Sequence, residues 1–278
     1  MHNGGARHDV AGPKGICDMH NVTSFSVARQ LTLRELRARF LGSFGGLFWA
    51  ILQPVLQLLV FAFVFVKVFH ARIPGADAPG YIAFLAVALW PWTAFADAVL
   101  NATRAIEDNA ALIGKVALPR VILVIARVCA SFSVHIAGFV AIVLLLALHD
   151  DHVRLLTGLL PALLLYVPLF ALALGFAFAF AALQVFVRDF VQLLGQSLPL
   201  LLYCAPVFYD RSIVPAPIQP WLSLNPFTFY AEAFHALVLG HGSIATTSLL
   251  AALGVAALVL IGGYRLFRRL DRHFEDFL

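Results

Sequence analysis

Six long apolar stretches, separated by short polar segments, fill most of the chain from residue 47 onward. Each is about as long as the roughly 20 residues that a helix needs to cross the hydrocarbon core of a bilayer. The stretches lack the period-two alternation of barrel strands, so helices are the remaining way to satisfy backbone polar groups in lipid. The pattern predicts an all-α integral membrane protein. The six predicted transmembrane helices are 47–69, 81–100, 121–148, 157–187, 190–209 and 244–267.

Composition agrees with this pattern. The chain is 62% hydrophobic and only 12% charged, with a mean hydropathy of +0.90, which exceeds what the core of a soluble domain needs. We therefore expect residues 25–278 to form a single transmembrane domain. Residues 1–24 contain no long apolar run and are expected to form a disordered cytoplasmic tail.

Basic residues predict the orientation of the chain in the membrane. Lys and Arg concentrate in the N-terminal region, the second and fourth loops and the C-terminal region, and such regions lie on the cytoplasmic side. Both termini are therefore expected to be cytoplasmic. This asymmetry explains the net charge of +4, and nucleic acid is not an expected partner.

Two segments on the predicted cytoplasmic side have a helical character of their own. Residues 25–44 mix arginines with apolar residues that partly share one helical face, which predicts an amphipathic interfacial helix, although these arginines could serve only to set topology. The loop 101–120 predicts a short helix with acidic residues early and Lys115 late, ended by Pro119. It is either a plain connector or a docking element for a partner.

Residues 210–242 differ from the rest of the chain because they are rich in proline and contain only short semi-apolar pieces. These pieces are too short to cross a bilayer, which predicts re-entrant or interfacial helices at the outer face. A pore mouth and a surface loop both fit the pattern.

No catalytic or nucleotide-binding motif is present in the sequence. HExxH, GxSxG and GxxxxGK[ST] patterns are absent, so the chain is not expected to be an ATPase. The run His149–His152 fits a polar turn, and no metal site is predicted there. Asp97 and Arg127 are predicted near the inner ends of spans two and three, where they can reach water or each other.

The order of several short motifs resembles one known family. Similar features are LRELRARF at 33–40, GLFW at 46–49 followed by Gln-Pro, NAALIGKVALPR at 109–120, RDF at 188–190, APVFY at 205–209, Val-Pro at 214–215 and LNP at 224–226. Together they are similar to the membrane permease subunit of type-2 ABC exporters for polysaccharides, the O-antigen, capsule and teichoic-acid group. The chain departs from the family pattern at Ala205, where Ser is common, and at His235, where Arg is frequent.

The resemblance implies a homodimer in the bacterial inner membrane that binds two copies of a separate cytoplasmic ATPase. The dimer would export a polysaccharide attached to undecaprenyl diphosphate. This chain would carry no catalytic residue and no cofactor, since ATP and Mg would bind the partner subunit. The residues implied in coupling to the ATPase are Asn109, Leu112, Ile113, Lys115, Leu118, Pro119 and Arg120.

Two substrate-contacting groups are hypothesised from the same resemblance. Arg34, Arg37 and Arg39 would attract the lipid diphosphate, because the forked donors of arginine match phosphate oxygens. Tyr203, Phe208 and Tyr209 would line the path of the glycan.

Two other functions stay open from the sequence. A membrane transferase acting on a lipid-linked sugar is the main alternative, although such enzymes usually need acidic pairs or a histidine in a sizeable loop. A channel or secondary transporter is the third, although no inverted repeat is evident.

Overall fold

The computed structural model describes residues 26–38, 46–68, 70, 78–113, 119–148 and 152–276. The predicted N-terminal tail lies outside these residues. Within them the chain is helical and contains no strand. The α-helices are α1 (26–38), α2 (Gly46–Ala62), α3 (Ala78–Thr103), α4 (Ala110–Ile113), α5 (Arg120–Ala147), α6 (His152–Phe186), α7 (Phe190–Tyr203), α8 (Gln219–Leu222), α9 (Pro226–Phe234) and α10 (Thr246–Leu270). Short 3₁₀-helices occur at Glu107–Asn109, Arg211–Ile213 and Asp271–Asp276, and π-helices at Phe63–Val68 and His235–Leu239.

Among the described residues, four helices are long and apolar enough to cross a membrane. They are Gly80–Thr103, Arg120–Ala147, Arg154–Phe186 and Thr246–Phe274. Two further apolar helices, Leu52–Val68 and Phe190–Tyr203, are shorter. The all-α membrane fold is thus confirmed, while the arrangement with six spans stays a prediction.

Helix α3 forms the centre of the bundle. Nearly every side chain from Tyr81 to Phe95 is buried, and α3 packs against both α5 and α6. Helix α10 lies at the edge and contacts mainly α6. These two helices approach closely at Gly175 and Gly263, where a Cβ on Gly263 would overlap the Gly175 carbonyl group. Glycine is required there because any side chain would separate the helices.

Helix α7 ends at Tyr203, before residue 209, where the sequence pattern placed the end of the fifth span. Ala205 precedes Pro206, and a proline disfavours the α conformation of the residue before it and has no amide to donate. The apolar run continues past this point, but the helix does not.

The proline-rich segment after α7 folds into short helices, as its sequence predicts. The Asn225 side chain caps α9 by accepting a hydrogen bond of 3.0 Å from the Phe227 amide, and Pro226 occupies the first helical position. The following π-helix ends at Gly240, whose φ of 67° is left-handed.

Candidate functional site

The segment between α3 and α5 packs against the bundle through Asn109. This side chain is 7% exposed, and its Nδ2 donates to the Ala105 carbonyl oxygen at 2.9 Å. Its Oδ1 accepts a hydrogen bond of 2.6 Å from Arg34 Nη2 of α1. This contact therefore joins a residue predicted to couple to the ATPase with an arginine predicted to bind the lipid headgroup. We call residues 107–120 the coupling segment, after this predicted role.

The other predicted coupling residues occupy varied environments. Leu112 and Ile113 in α4 are partly buried against the hydrophobic core. Pro119 is exposed, and α5 starts directly after it, as predicted. Lys115 and Leu118 lie outside the described residues, so their roles stay predictions.

Arg127 in α5 connects three elements. Its Nη1 donates to Asp108 Oδ2 at 2.7 Å and to the Asn101 carbonyl oxygen at 3.0 Å. Its Nε lies 3.6 Å from Glu35 Oε2 of α1. The Arg127 and Glu35 side chains are only 13% and 15% exposed, so solvent screens this pair weakly. Arg127 thus fixes α1 and the 3₁₀-helix Glu107–Asn109 to α5.

Gln184 ties the same 3₁₀-helix to the junction of α6 and α7. Its Nε2 donates to Glu107 Oε2 at 3.0 Å and to the Arg188 carbonyl oxygen at 2.8 Å. Its Oε1 accepts from the Val191 amide at 2.8 Å. This buried amide therefore uses both donors and its acceptor to hold three chain segments together.

The start of α5 is held by the C-terminal region. Arg120 Nη1 donates to the Asp271 backbone oxygen at 2.6 Å and to its Oδ1 at 3.0 Å. The guanidinium also lies 5.8 Å from the centre of the Phe274 ring, within the range of a cation–π contact.

We call these contacts the charged-end network. It comprises Arg34, Glu35, Glu107, Asp108, Asn109, Arg120, Arg127, Gln184 and Asp271. These contacts connect the 3₁₀-helix Glu107–Asn109 to α1, α5 and the α6–α7 junction, and they connect the start of α5 to the end of α10. Glu35, Gln184 and Asp271 were not predicted to belong to this network. They lie in separate parts of the chain, and their contacts depend on which way each helix faces in the bundle.

Of the predicted headgroup arginines, Arg34 belongs to this network. Arg34 also contacts Glu35 Oε1 at 3.3 Å, yet 47% of its side chain stays exposed. Arg37 is exposed, and Arg39 lies outside the described residues. The structure thus places one of the three arginines within reach of both solvent and the coupling segment.

The predicted glycan-path aromatics lie at the opposite end of the bundle in different surroundings. Phe208 is buried and stacks on Phe65 at 5.3 Å between ring centres. Tyr203 stacks on Phe208, also at 5.3 Å, and is 51% exposed. Tyr81 Oη donates to the Phe208 carbonyl oxygen at 2.7 Å. The Tyr209 hydroxyl donates to the Tyr203 carbonyl oxygen at 3.3 Å. Tyr203 therefore presents a ring at the surface, whereas Phe208 is a packing residue.

His235, one of the two departures from the family pattern, is buried near this end. Its Nε2 lies 3.0 Å from the Phe84 carbonyl oxygen, and its ring stacks on Phe84 at 3.6 Å. Burial lowers the pKa of His235 to about 3, because the contact with Phe84 and the charge of Asp210 offset the loss of hydration only in part. The imidazole is therefore neutral at physiological pH.

Asp210 lies in the same region and is stabilised as a carboxylate. Its Oδ1 accepts from the Ser212 amide at 2.8 Å, which caps the 3₁₀-helix Arg211–Ile213. Burial alone would raise its pKa, but hydrogen bonds from Ser212 and the nearby His235 and His241 lower the pKa below its usual value.

No group of three or more His, Cys, Asp or Glu side chains within the described residues is arranged to hold a metal ion. Of the run His149–His152, the first three residues lie outside that part of the chain. The expectation about this run therefore stays a prediction.

Comparison with known proteins gives a consistent result. The chain is 24% identical over 262 residues to the O-antigen export system permease protein RfbA of Klebsiella pneumoniae, covering 91% of this chain and 95% of that protein. It is 27% identical to the RfbA protein of Myxococcus xanthus, over 88% of this chain and 93% of the relative. It is also 26% identical to the polysialic acid transport protein KpsM of Escherichia coli, over 73% of this chain and 77% of the relative.

The ABC-2 type transporter family matches residues 27–239, which contain α1, the coupling segment and the helices up to the end of the second π-helix. Members of this family are membrane permease subunits rather than enzymes. The long apolar helices and the motif order agree with this match, and the chain belongs to the ABC-2 type transporter family.

Proposed function

We propose that this chain is the channel-forming subunit of an ABC exporter for a lipid-linked polysaccharide of the O-antigen or capsule type. It acts as a homodimer in the bacterial inner membrane with two copies of a cytoplasmic ATPase, which bind ATP and Mg. Its family membership supports a transport role, and the names of its relatives support the class of substrate.

The single observation that supports coupling most strongly is the charged-end network. The segment 107–120 is short and lies between two long helices, and its polar residues Glu107, Asp108 and Asn109 are bonded to α6, α5 and α1. Packed elements of this kind move as units rather than deform continuously. ATP-driven closure of the partner would therefore push this segment and rotate the helices bound to it.

A transport subunit with both termini in the cytoplasm needs an even number of spans. In addition to the four long helices, we propose that α2 with its π-helical extension and α7 complete the set of six. The 17 residues of α2 and the 6 of the π-helix together match a hydrocarbon core of about 30 Å. Helix α7 is shorter and relies on the turn at 204–209 to complete its crossing.

We assign the substrate contacts to the two ends of the bundle. Arg34, Arg37 and Arg39 bind the lipid diphosphate. Of the three predicted aromatics, Tyr203 and Tyr209 border the outer part of the glycan path, and buried Phe208 supports the Tyr203 ring from beneath. Half-exposed Arg34 supports the first assignment, and the exposed ring of Tyr203 supports the second. Charge-neutral substitution of all three arginines that leaves export intact would contradict the headgroup assignment.

The proposed function is tested by deleting the gene for this chain and measuring polysaccharide at the cell surface. We expect loss of surface polymer together with accumulation of lipid-linked polymer inside the cell, and restoration of both by the intact gene. Unchanged surface polymer after deletion would overturn the proposal.

A further inference from the structure

A polar cavity of about 330 Å³ lies among the apolar helices, apart from the charged-end network. It is lined by α2, α3, α5 and α7, and all of its lining residues lie in the described apolar helices. The polar residues that line it are Gln53, Gln57, Thr93, Asp97 and His135. Such a set is unusual inside a membrane bundle, where each polar group is costly and is retained mainly for function.

The strongest feature of the cavity is a pair of ionisable side chains. Asp97 Oδ2 lies 3.5 Å from His135 Nε2, and Asn101 Nδ2 donates to Asp97 Oδ1 at 2.6 Å. The Asp97 side chain is 33% exposed, and the His135 side chain is 11% exposed. These contacts orient the carboxylate and leave part of its surface open to the cavity.

Glutamine side chains on α2 and α7 make the surface at and beside the cavity partly polar. Gln53 and Gln57 on α2, and Gln192 and Gln196 on α7, are spaced four residues apart and so share a helical face on each helix. Gln53, Gln192 and Gln196 are exposed. The same two helices also expose apolar side chains such as Leu59 and Leu193, so the amides are only the polar part of these surfaces. Amide groups on α2 and α7 therefore indicate a hydrated path beside the cavity.

We propose that this cavity binds one sugar unit of the polymer during export, an inference that rests on the proposed function. Sugar hydroxyls both donate and accept hydrogen bonds, and the carboxylate, imidazole and amide groups here offer both kinds of partner. Trp92, Pro54 and Pro199 supply an apolar wall for the C–H faces of a sugar ring. The volume lies at the small end of ligand pockets, which suits a single unit rather than a long segment.

Gly195 allows a test that leaves every polar group in place. It lines the cavity, and a Cβ built on it has no neighbouring atom within 4 Å. Gly195→Leu would therefore fill the cavity, and leucine favours a helix more than glycine does. Gly254→Leu on α10 is the matched control, since that site is equally open but lies far along the chain from the cavity helices.

The binding measurement uses the full chain in lipid nanodiscs and an oligosaccharide released by mild acid from the surface polysaccharide of its own host. Saturation-transfer NMR should show binding to the wild type and to Gly254→Leu. Gly195→Leu and Asp97→Asn should each weaken binding by about tenfold or more, since hydrogen bonds to charged groups are the strong ones. Thermal unfolding of each variant checks that it is folded.

The outcomes separate this inference from the proposed function. Equal binding by Gly195→Leu and Gly254→Leu would overturn the cavity site. So would the absence of oligosaccharide binding by a wild-type chain that still restores surface polymer in the deletion strain. Failure of the wild-type chain to restore surface polymer would instead overturn the proposed function, and with it the identity of the ligand.

Discussion

At the scale of single residues, Arg127 contributes most to holding the coupling segment. Its guanidinium contacts Asp108, Glu35 and the Asn101 carbonyl group from a largely buried position. Removing the cation would leave the largely buried Glu35 carboxylate with only its contact to Arg34, and would remove the ion pair of the partly exposed Asp108.

We predict that Arg127→Gln lowers the free energy of unfolding by about 2 kcal/mol, below the value for a fully buried pair because Asp108 is partly exposed. The control is Arg104→Gln at an exposed position in the turn between α3 and the 3₁₀-helix Glu107–Asn109, with an expected change below about 0.5 kcal/mol. Denaturant unfolding in detergent measures both. Equal effects would show that Arg127 is not central to the network.

His235 gives a prediction about pH. Its pKa is about 3 in the folded protein, against an ordinary value of 6.5, so the unfolded chain binds more protons between these values. Stability should therefore fall as the pH decreases from 6.5 toward 3, by up to about 1.4 kcal/mol per unit. Asp210 and His241 face the same site, and the lowered pKa of Asp210 acts in the same direction, since a carboxylate with a lowered pKa also loses stability as the pH falls.

The comparison variant is His235→Gln, which cannot titrate. Its thermal midpoint should depend less on pH between 6.5 and 4 than that of the wild type, whereas exposed His273→Gln should keep the wild-type slope. A wild-type slope in His235→Gln would mean that another group causes the acid sensitivity.

The sequence identified several site residues but not their partners. Asn109 and Arg34 were selected from motifs, yet their 2.6 Å contact depends on how α1 lies across the bundle. Asp97 was recognised as an intramembrane charge, but its partner His135 lies on another helix, and sequence spacing carries no signal for that pairing.

At the scale of helices, α6 and α10 pack through glycine. A Cβ on Gly263 would overlap the backbone of Gly175, whereas a Cβ on the adjacent Gly262 has no atom within 4 Å. These neighbours differ only in the face of α10 that they occupy.

We predict that Gly263→Ala destabilises the chain by about 3 kcal/mol, because the helices must separate and lose contacts. Gly262→Ala should be neutral or stabilising by up to about 1 kcal/mol, since alanine favours the helix. Thermal unfolding in nanodiscs distinguishes the two. Similar midpoints for both variants would contradict the close approach of α6 and α10.

The positions of the helices were largely predictable, because the length of each apolar run can be read from the sequence. The start of α5 after Pro119 follows from the missing amide of proline. The end of α7 at Tyr203 was not predicted. The apolar run continues past Tyr203, so its hydropathy gives no sign of the turn before Pro206. The π-helical extension of α2 has no recognisable sequence signal.

At the scale of the whole molecule, the two ends of the bundle have different characters. One end carries the charged-end network that includes the segment 107–113. The other carries the short helices α8 and α9 and the aromatic contacts of Phe208. The polar cavity lies among the helices that connect them. This arrangement suits a subunit that receives motion at one end and opens a path toward the other.

The central claim is that ATP hydrolysis by a partner is coupled to this chain through the segment 107–120. The most direct measurement is the ATPase rate of the chain copurified with its partner in nanodiscs, for the wild type, Leu112→Ala and the control Leu145→Ala. Leu112 lies in the coupling segment, whereas Leu145 is 53% exposed on α5. We predict that Leu112→Ala lowers the rate about tenfold, equivalent to about 1.4 kcal/mol, and that Leu145→Ala leaves it unchanged. No associated ATPase, or equal rates for all three chains, would contradict the account.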